Sequence, residues 1–331
     1  MALPLCEVGV IIVALCWNSL VLTSTLNSKN LVSYTQSAGI RYTSFAGLKS
    51  SSETICDTSR KFETFNKHSK NLISNEWLTW FIGFTKGDGA ILTTKGKARF
   101  VLTQKEGAIL HHVKKVLGFG TVRQFEGYFR FIVAQPQSIL LLVYIFNGNL
   151  VLPYRQKQLG EWIKALNCEG YLDLNLIPTL MKPKLKDAWL SGFTDAEGCF
   201  NIAIQSRPNT VTGYRVTLRF LLDKKNAEST LLLIRDLFKF GQVFVRGETN
   251  GVYRYHNNTF KGLLPVRDYF LAFPLKTKKA DSFKHWLDVF TMILKKEHLV
   301  PEGLKIIRAI AKIVNIKNSL NNKTGSSLLK T

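Results

Sequence analysis

Trp80-Phe-Ile-Gly83-Phe-Thr-Lys-Gly-Asp88-Gly89-Ala-Ile returns 109 residues later as Trp189-Leu-Ser-Gly192-Phe-Thr-Asp-Ala-Glu197-Gly198-Cys-Phe. A single Asp-Gly after an apolar run is an ordinary turn signal. Its return behind the same Gly-Phe-Thr core makes it a candidate repeat, and repeats decide a fold before any local reading does. Further matches follow in the same order. Leu117-Gly-Phe-Gly120 answers Leu237-Phe-Lys-Phe-Gly241, and Gly127-Tyr-Phe-Arg130-Phe answers Gly251-Val-Tyr-Arg254-Tyr. Pro153-Tyr-Arg155-Gln-Lys157 answers Pro274-Leu-Lys276-Thr-Lys278. The offset drifts only between 109 and 124, which describes one unit written twice with loop insertions.

The landmarks also give the elements of that unit. Residues 75–86 read as a helix entered at Ser74, a good N-cap type, and ended by Gly87 and Gly89. The second copy of this helix starts after Pro183 and stops at Glu197-Gly198. In Arg215-Val-Thr-Leu-Arg219-Phe strict alternation puts Arg215, Thr217 and Arg219 on one face of a strand and Val216, Leu218 and Phe220 on the other. Residues 201–207 alternate likewise. Helical runs at 108–116 and 227–238 precede hairpins around Gly127 and Gly251, and final helices are expected over 156–166 and 278–294. Each copy therefore reads αββαββα, an α+β class with antiparallel sheets. The expected divisions are an appendage over 1–72, a first unit over 73–168 and a linker over 169–186. A second unit over 187–300 and a basic C-terminal helix and tail over 301–331 complete the chain.

Charge narrows the class of partner. The chain of 331 residues has 45 Lys and Arg against 23 Asp and Glu, a formal net charge of +22, and +21 of this lies in residues 61–331. A folded body so basic favours a polyanion, because each cation that meets a phosphate releases condensed counterions. The five cysteines form no CxxC pair, which argues against a structural zinc or a disulfide framework and for a reducing compartment. Residues 8–22 are mostly apolar, but Glu7 stands where a secretory signal wants positive charge. Residues 22–60 are rich in Ser, Thr, Asn and Gly, so 1–72 reads as a mostly unfolded appendage, with a membrane anchor as the competing reading.

The repeated helix carries the chemistry. Gly83 and Gly192 lie mid-helix, where glycine costs about 1 kcal/mol relative to alanine. A cost repeated at equivalent positions points to a close approach of two backbones. If the two helices pack about a pseudo-twofold axis, Asp88 and Glu197 arrive together at their C-terminal ends. Two carboxylates there repel each other and the negative end of each helix dipole until divalent cations neutralise them. Metal-assisted phosphodiester hydrolysis would use such a pair.

These two motifs resemble the signature motifs of single-chain LAGLIDADG homing endonucleases, and the likeness covers about residues 73–300. The resemblance implies a saddle of two antiparallel sheets, with the motif helices packed at the interface, straddling duplex DNA at a long asymmetric site. It implies Mg²⁺, with Mn²⁺ as a substitute, held by Asp88 and Glu197 and by the backbone carbonyls of Gly87 and Ala196. It further implies catalytic support from Gln104 at a strand end and from the basic residues Lys157 and Lys278. Sequence reading falls to the polar strand faces: Arg99, Arg130, Gln205, Arg207, Arg215, Arg219 and Arg254. Two positions depart from the pattern. Lys86 stands where the second copy has Asp195, and the counterpart of Gln104 is Lys224, so the two half-sites are expected to be unequal. His111 and His112 read as surface or packing residues.

Site-specific double-strand cleavage that promotes intron mobility is the leading expectation. The alternative is an RNA maturase that binds its own intron RNA, a role for which the paired acids are not needed. The duplication supplies both half-sites, so a monomer is expected. Made inside the mitochondrion from an intron reading frame, such a protein needs no import signal, and residues 1–60 would be an exon remnant.

Overall fold

The computed structural model describes residues 58–170, 174–178, 182–247 and 251–325. The readings of residues 1–57, the apolar stretch 8–22 among them, lie outside the described residues. The first copy runs α2 (Asn75–Asp88), β1 (Gly89–Thr94), β2 (Lys97–Gln104), α3 (Gly107–Leu117), β3 (Thr121–Phe125), β4 (Tyr128–Val133), α4 (Pro136–Phe146) and α5 (Pro153–Cys168). The second runs α6 (Trp189–Glu197), β5 (Gly198–Ser206), β6 (Tyr214–Lys225), α7 (Glu228–Phe238), β7 (Gln242–Val245), β8 (Val252–Asn257), α8 (Phe260–Ala272) and α9 (Lys279–Leu294). Each copy is thus αββαββαα, with one helix more than the sequence suggested. The extra helix was masked by composition. Residues 139–146, Ile-Leu-Leu-Leu-Val-Tyr-Ile-Phe, form an apolar run that fits a strand as well as a helix, and Pro265 sits inside α8 where it reads as a breaker.

Each copy builds a four-stranded antiparallel sheet, in the order β1-β2-β4-β3 and β5-β6-β8-β7. Alternation sorts the faces as expected. Phe100, Leu102, Phe131, Phe200, Ile202, Leu218, Phe220 and Leu222 are buried beneath the helices. The register places Arg99, Arg123 and Arg130 together on the opposite face of the first sheet. On the second sheet it places Gln205, Arg215, Arg219 and Arg254 there. Arg207 lies past the end of β5, in a turn where its N–H donates to the Gly213 carbonyl.

Beyond its exposed first turn α2 is largely apolar and enclosed, with Trp77, Leu78, Trp80, Phe81, Ile82 and Phe84 all buried. Its entry is the expected one, the Ser74 hydroxyl accepting from the Trp77 N–H. Its exit differs slightly: Gly87 stays inside the helix and Gly89 is the cap.

Two further helices frame the duplicated body. α1 (Thr58–His68) falls within the stretch expected to be unfolded, yet Phe62 and Phe65 are buried and α1 packs on α4. The Asn66 side chain ties its end down by bonding both the N–H and the C=O of Ile73. Two aromatics three residues apart in a polar stretch are too short a pattern to show a helix. α10 (Pro301–Gly325) includes part of the expected loose tail. It buries Leu304, Ile307, Ala311 and Val314 and covers the outer edge of β5, where Asn315 bonds both backbone groups of Ile202. That side-chain amide pairs an edge that would otherwise be open to another strand.

Candidate functional site

The two motif helices lie against each other through their glycines. A Cβ built on Gly83 would collide with the Trp189 carbonyl oxygen, and one on Gly192 with the Trp80 carbonyl oxygen. One turn further on, a Cβ on Gly87 would overlap the Ala196 methyl. Contact this close at both levels leaves α2 and α6 ending side by side, with Asp88 and Glu197 as the last residue of each.

The acid pair is electrostatically loaded. Burial first, and then the Glu197 carboxylate, push the Asp88 carboxyl up to about 7, against the opposing pull of Lys279, Lys224 and Gln104. The Gln104 amide at the end of β2 donates to Asp88 Oδ2. At the end of β6 the equivalent residue is a cation. Lys224 Nζ donates to Glu197 Oε1 at 2.5 Å and to the Gly87 carbonyl at 2.6 Å. Lys279 Nζ donates to the carbonyls of Ala196 at 2.8 Å and Thr194 at 3.2 Å. Two carboxylates and the carbonyls of Gly87 and Ala196 converge on one small region. An oxygen-only donor set carrying two negative charges suits a hard divalent cation such as Mg²⁺, Mn²⁺ or Ca²⁺.

Asp88, Glu197, Gly87, Ala196 and Gln104 therefore come together, but the expected basic residues do not join them. Lys278 is exposed, and its backbone N–H donates to Glu106 Oε2 at 3.3 Å. Lys157 is exposed as the fifth residue of α5. The cations at the acids are Lys224 and Lys279 instead. The cause is helical phase: α9 begins at Lys279, so that residue and not its predecessor turns toward the end of α6. No repeat pattern marked Lys279, because Gln158 stands at the equivalent position of the first copy.

The sheet faces are cationic but unequal. Arg130 lies across from Thr103 and Arg123, with its guanidinium 5.3 and 5.1 Å from the ring centres of Phe125 and Tyr128. Its counterpart Arg254 lies across from Asp223 and makes two bonds to it, at 2.6 and 2.7 Å, and Arg246 joins the same carboxylate at 3.0 Å. Arg99, Gln205, Arg207 and Arg215 are exposed, and Arg219 is half-buried. His112 has a packing role, its Nε2 accepting from Trp77 Nε1 at 3.1 Å.

Residues 190–290 match the family model described as LAGLIDADG endonuclease. The chain is 34% identical over 257 residues to probable intron-encoded endonuclease 4 of Neurospora crassa; the match covers 76% of this chain and 45% of that protein. It is 26% identical over 271 residues to an uncharacterized cox1 intron-2 protein of Schizosaccharomyces pombe, with 78% and 80% of the two chains covered. The chain thus spans less than half the length of the Neurospora relative and most of the length of the fission-yeast one. Among solved structures, the fold is similar to the LAGLIDADG meganuclease I-AabMI bound to uncleaved DNA. The TM-score is 0.58 at 24% identity, over 71% of this chain and 98% of that one.

Proposed function

The chain carries a LAGLIDADG endonuclease domain, and from that premise we propose that it is a site-specific, divalent-metal-dependent endonuclease that cuts both strands of a long asymmetric duplex DNA site as a monomer. The observation that carries this reading is the pair Asp88 and Glu197, set side by side by the glycine contacts at 83 and 192. Burial and mutual repulsion make that pair costly for folding alone and suited to cations.

The roles of the chain's own groups follow from their positions. Asp88, Glu197 and the carbonyls of Gly87 and Ala196 would hold the metal. When bound, a divalent ion lowers the pKa of water and neutralises charge on the attacking and leaving oxygens. Gln104 fixes the orientation of the Asp88 carboxylate. Lys224 and Lys279 place positive charge at the two helix ends, where a phosphate bearing extra negative charge would gain from it. The arginines of the two sheet faces would grip phosphates and read base edges.

Relatives named for introns support a role in intron mobility and manufacture inside the mitochondrion. The test is cleavage of plasmids that carry intron-insertion-site sequences by the full chain with Mg²⁺ or Mn²⁺, beside Asp88→Asn and Glu197→Gln. Discrete double-strand cuts, reduced at least about a thousandfold in either variant, are expected, since each change takes a negative charge and an anionic oxygen from the metal site. Tight binding of the host intron RNA with no cutting under any divalent ion would transfer the assignment to the maturase reading.

A further inference from the structure

Lys224 does more than replace Gln104 in the second copy. Its ammonium lies between one oxygen of Glu197, at 2.5 Å, and the Gly87 carbonyl, at 2.6 Å, a carboxylate from one motif helix and a backbone oxygen from the other. Those two oxygens therefore converge on a single cation, and the cation present is part of the chain. The lysine is well enclosed, its side chain 13% exposed beside a Glu197 side chain 20% exposed. In the first copy the carboxylate meets the neutral amide of Gln104, which brings no charge. Lys279 also touches a carbonyl of the site, but it bonds only the backbone oxygens of Thr194 and Ala196, leaving both carboxylates to other partners.

We infer that Lys224 is a built-in occupant of one of two cation positions at the acid pair. This inference rests on the metal-dependent reading above. A first divalent ion would be taken on the Asp88 side, where the side-chain donor to the carboxylate among the described residues is the neutral Gln104 amide, although Lys279 and Lys224 lie near enough to act on Asp88 through space. For Glu197 and the Gly87 carbonyl to hold a second ion, the Lys224 ammonium would have to leave them, and its charge, with that of a first ion, would oppose the exchange. The two halves thus differ in metal affinity, with the weaker position the one that Lys224 fills.

The test is a Mn²⁺ titration of the full chain, with free Mn²⁺ followed by its electron paramagnetic resonance signal. Lys224→Gln, Lys224→Met and the double variant Asp88→Asn/Glu197→Gln are titrated alongside, and each fold is checked by circular dichroism. The wild type is expected to take up one ion with a second at least about tenfold weaker, and both Lys224 variants to tighten the second by about tenfold. Two equal ions in the wild type, unchanged in both variants, would overturn the role of Lys224 and leave the metal-dependent reading standing. Loss of the first ion in either Lys224 variant would also overturn it, making the lysine a support for the site instead of an occupant. Binding no tighter in the wild type than in the double acid variant would bring down the metal-dependent reading, and this inference with it.

Discussion

Asp195 and Lys86 occupy equivalent positions on the two motif helices and lie in opposite chemical circumstances. Asp195 accepts from Trp80 Nε1 at 2.8 Å, from the N–H groups of Lys276 and Thr277 at 2.8 and 3.1 Å, and from the Thr277 hydroxyl at 2.6 Å. It staples the loop before α9 to the helix pair. Lys86 is as deeply buried, but its ammonium finds no hydrogen-bond partner among the described residues and lies 4.9 Å from the centre of the Trp189 ring. Burial, and next the Arg155 guanidinium, hold it well below the usual lysine range. The partners have changed too. Trp189 Nε1, the mirror image of the Trp80 donor, has no acceptor among the described residues, and the N–H groups of Arg155 and Gln156 turn to the Leu152 carbonyl because α5 starts early, at Pro153. The backbone symmetry has outlived the side-chain symmetry. What both halves must keep is the helix contact and the acid that follows it; the residue two places before the acid is free to diverge.

The contrast is open to direct attack. Asp195→Ala strands the Trp80 donor and two backbone N–H groups inside the protein, and should cost about 3–5 kcal/mol in denaturant unfolding; a loss below 1 kcal/mol would mean the staple is ornamental. Lys86→Met keeps the length of the side chain and removes a buried, unpaired amine, so it should stabilise by about 1–3 kcal/mol. The pH dependence sharpens that expectation. Because the folded value of Lys86 lies below the unfolded one of about 10.4, the unfolded chain binds the extra proton in the window between them. The wild type should therefore gain stability as pH rises through that window, and the gain should be absent from Lys86→Met. The smallest effect is a difference of differences. Trp80→Phe and Trp189→Phe empty similar volumes from the same interface, but only the first takes a donor from a buried carboxylate. Trp80→Phe should cost about 1–2 kcal/mol more, and equal losses would dissolve the contrast.

Much of this was legible in the residues before any coordinates. The repeat fixed which helices pair, the mid-helix glycines told that they pair closely, and alternation in Arg215–Phe220 put the arginines opposite the core. What escaped had long-range causes. α4 and α8 were hidden by a continuous apolar run and an internal proline. The repeat singles out Lys278 and passes over Lys279, because a helix start one residue later is invisible in a Pro-x-basic-x-Lys pattern. The grip of Asp223 on Arg254 depends on the register of β6 against β8, two strands separated in sequence by α7 and β7, which strand composition does not reveal. The neutral Gln104 and the cationic Lys224 could be aligned with each other, but their contacts with the acids needed the whole fold.

The reciprocal contact of Gly83 with the Trp189 carbonyl and Gly192 with the Trp80 carbonyl also bears on how such a protein can evolve. Each glycine is answered by a backbone atom, and no side-chain change on the opposite helix can move a backbone atom out of the way. A mutation at either position therefore has no compensating partner within reach, unlike a clash between two side chains. The halves of the old duplication are free to drift in charge, in loops and in the lysine that faces the acids, yet they are inherited as a matched pair. A chimera that joins one half to a foreign partner can keep the seam only if the partner brings a glycine of its own to the matching position.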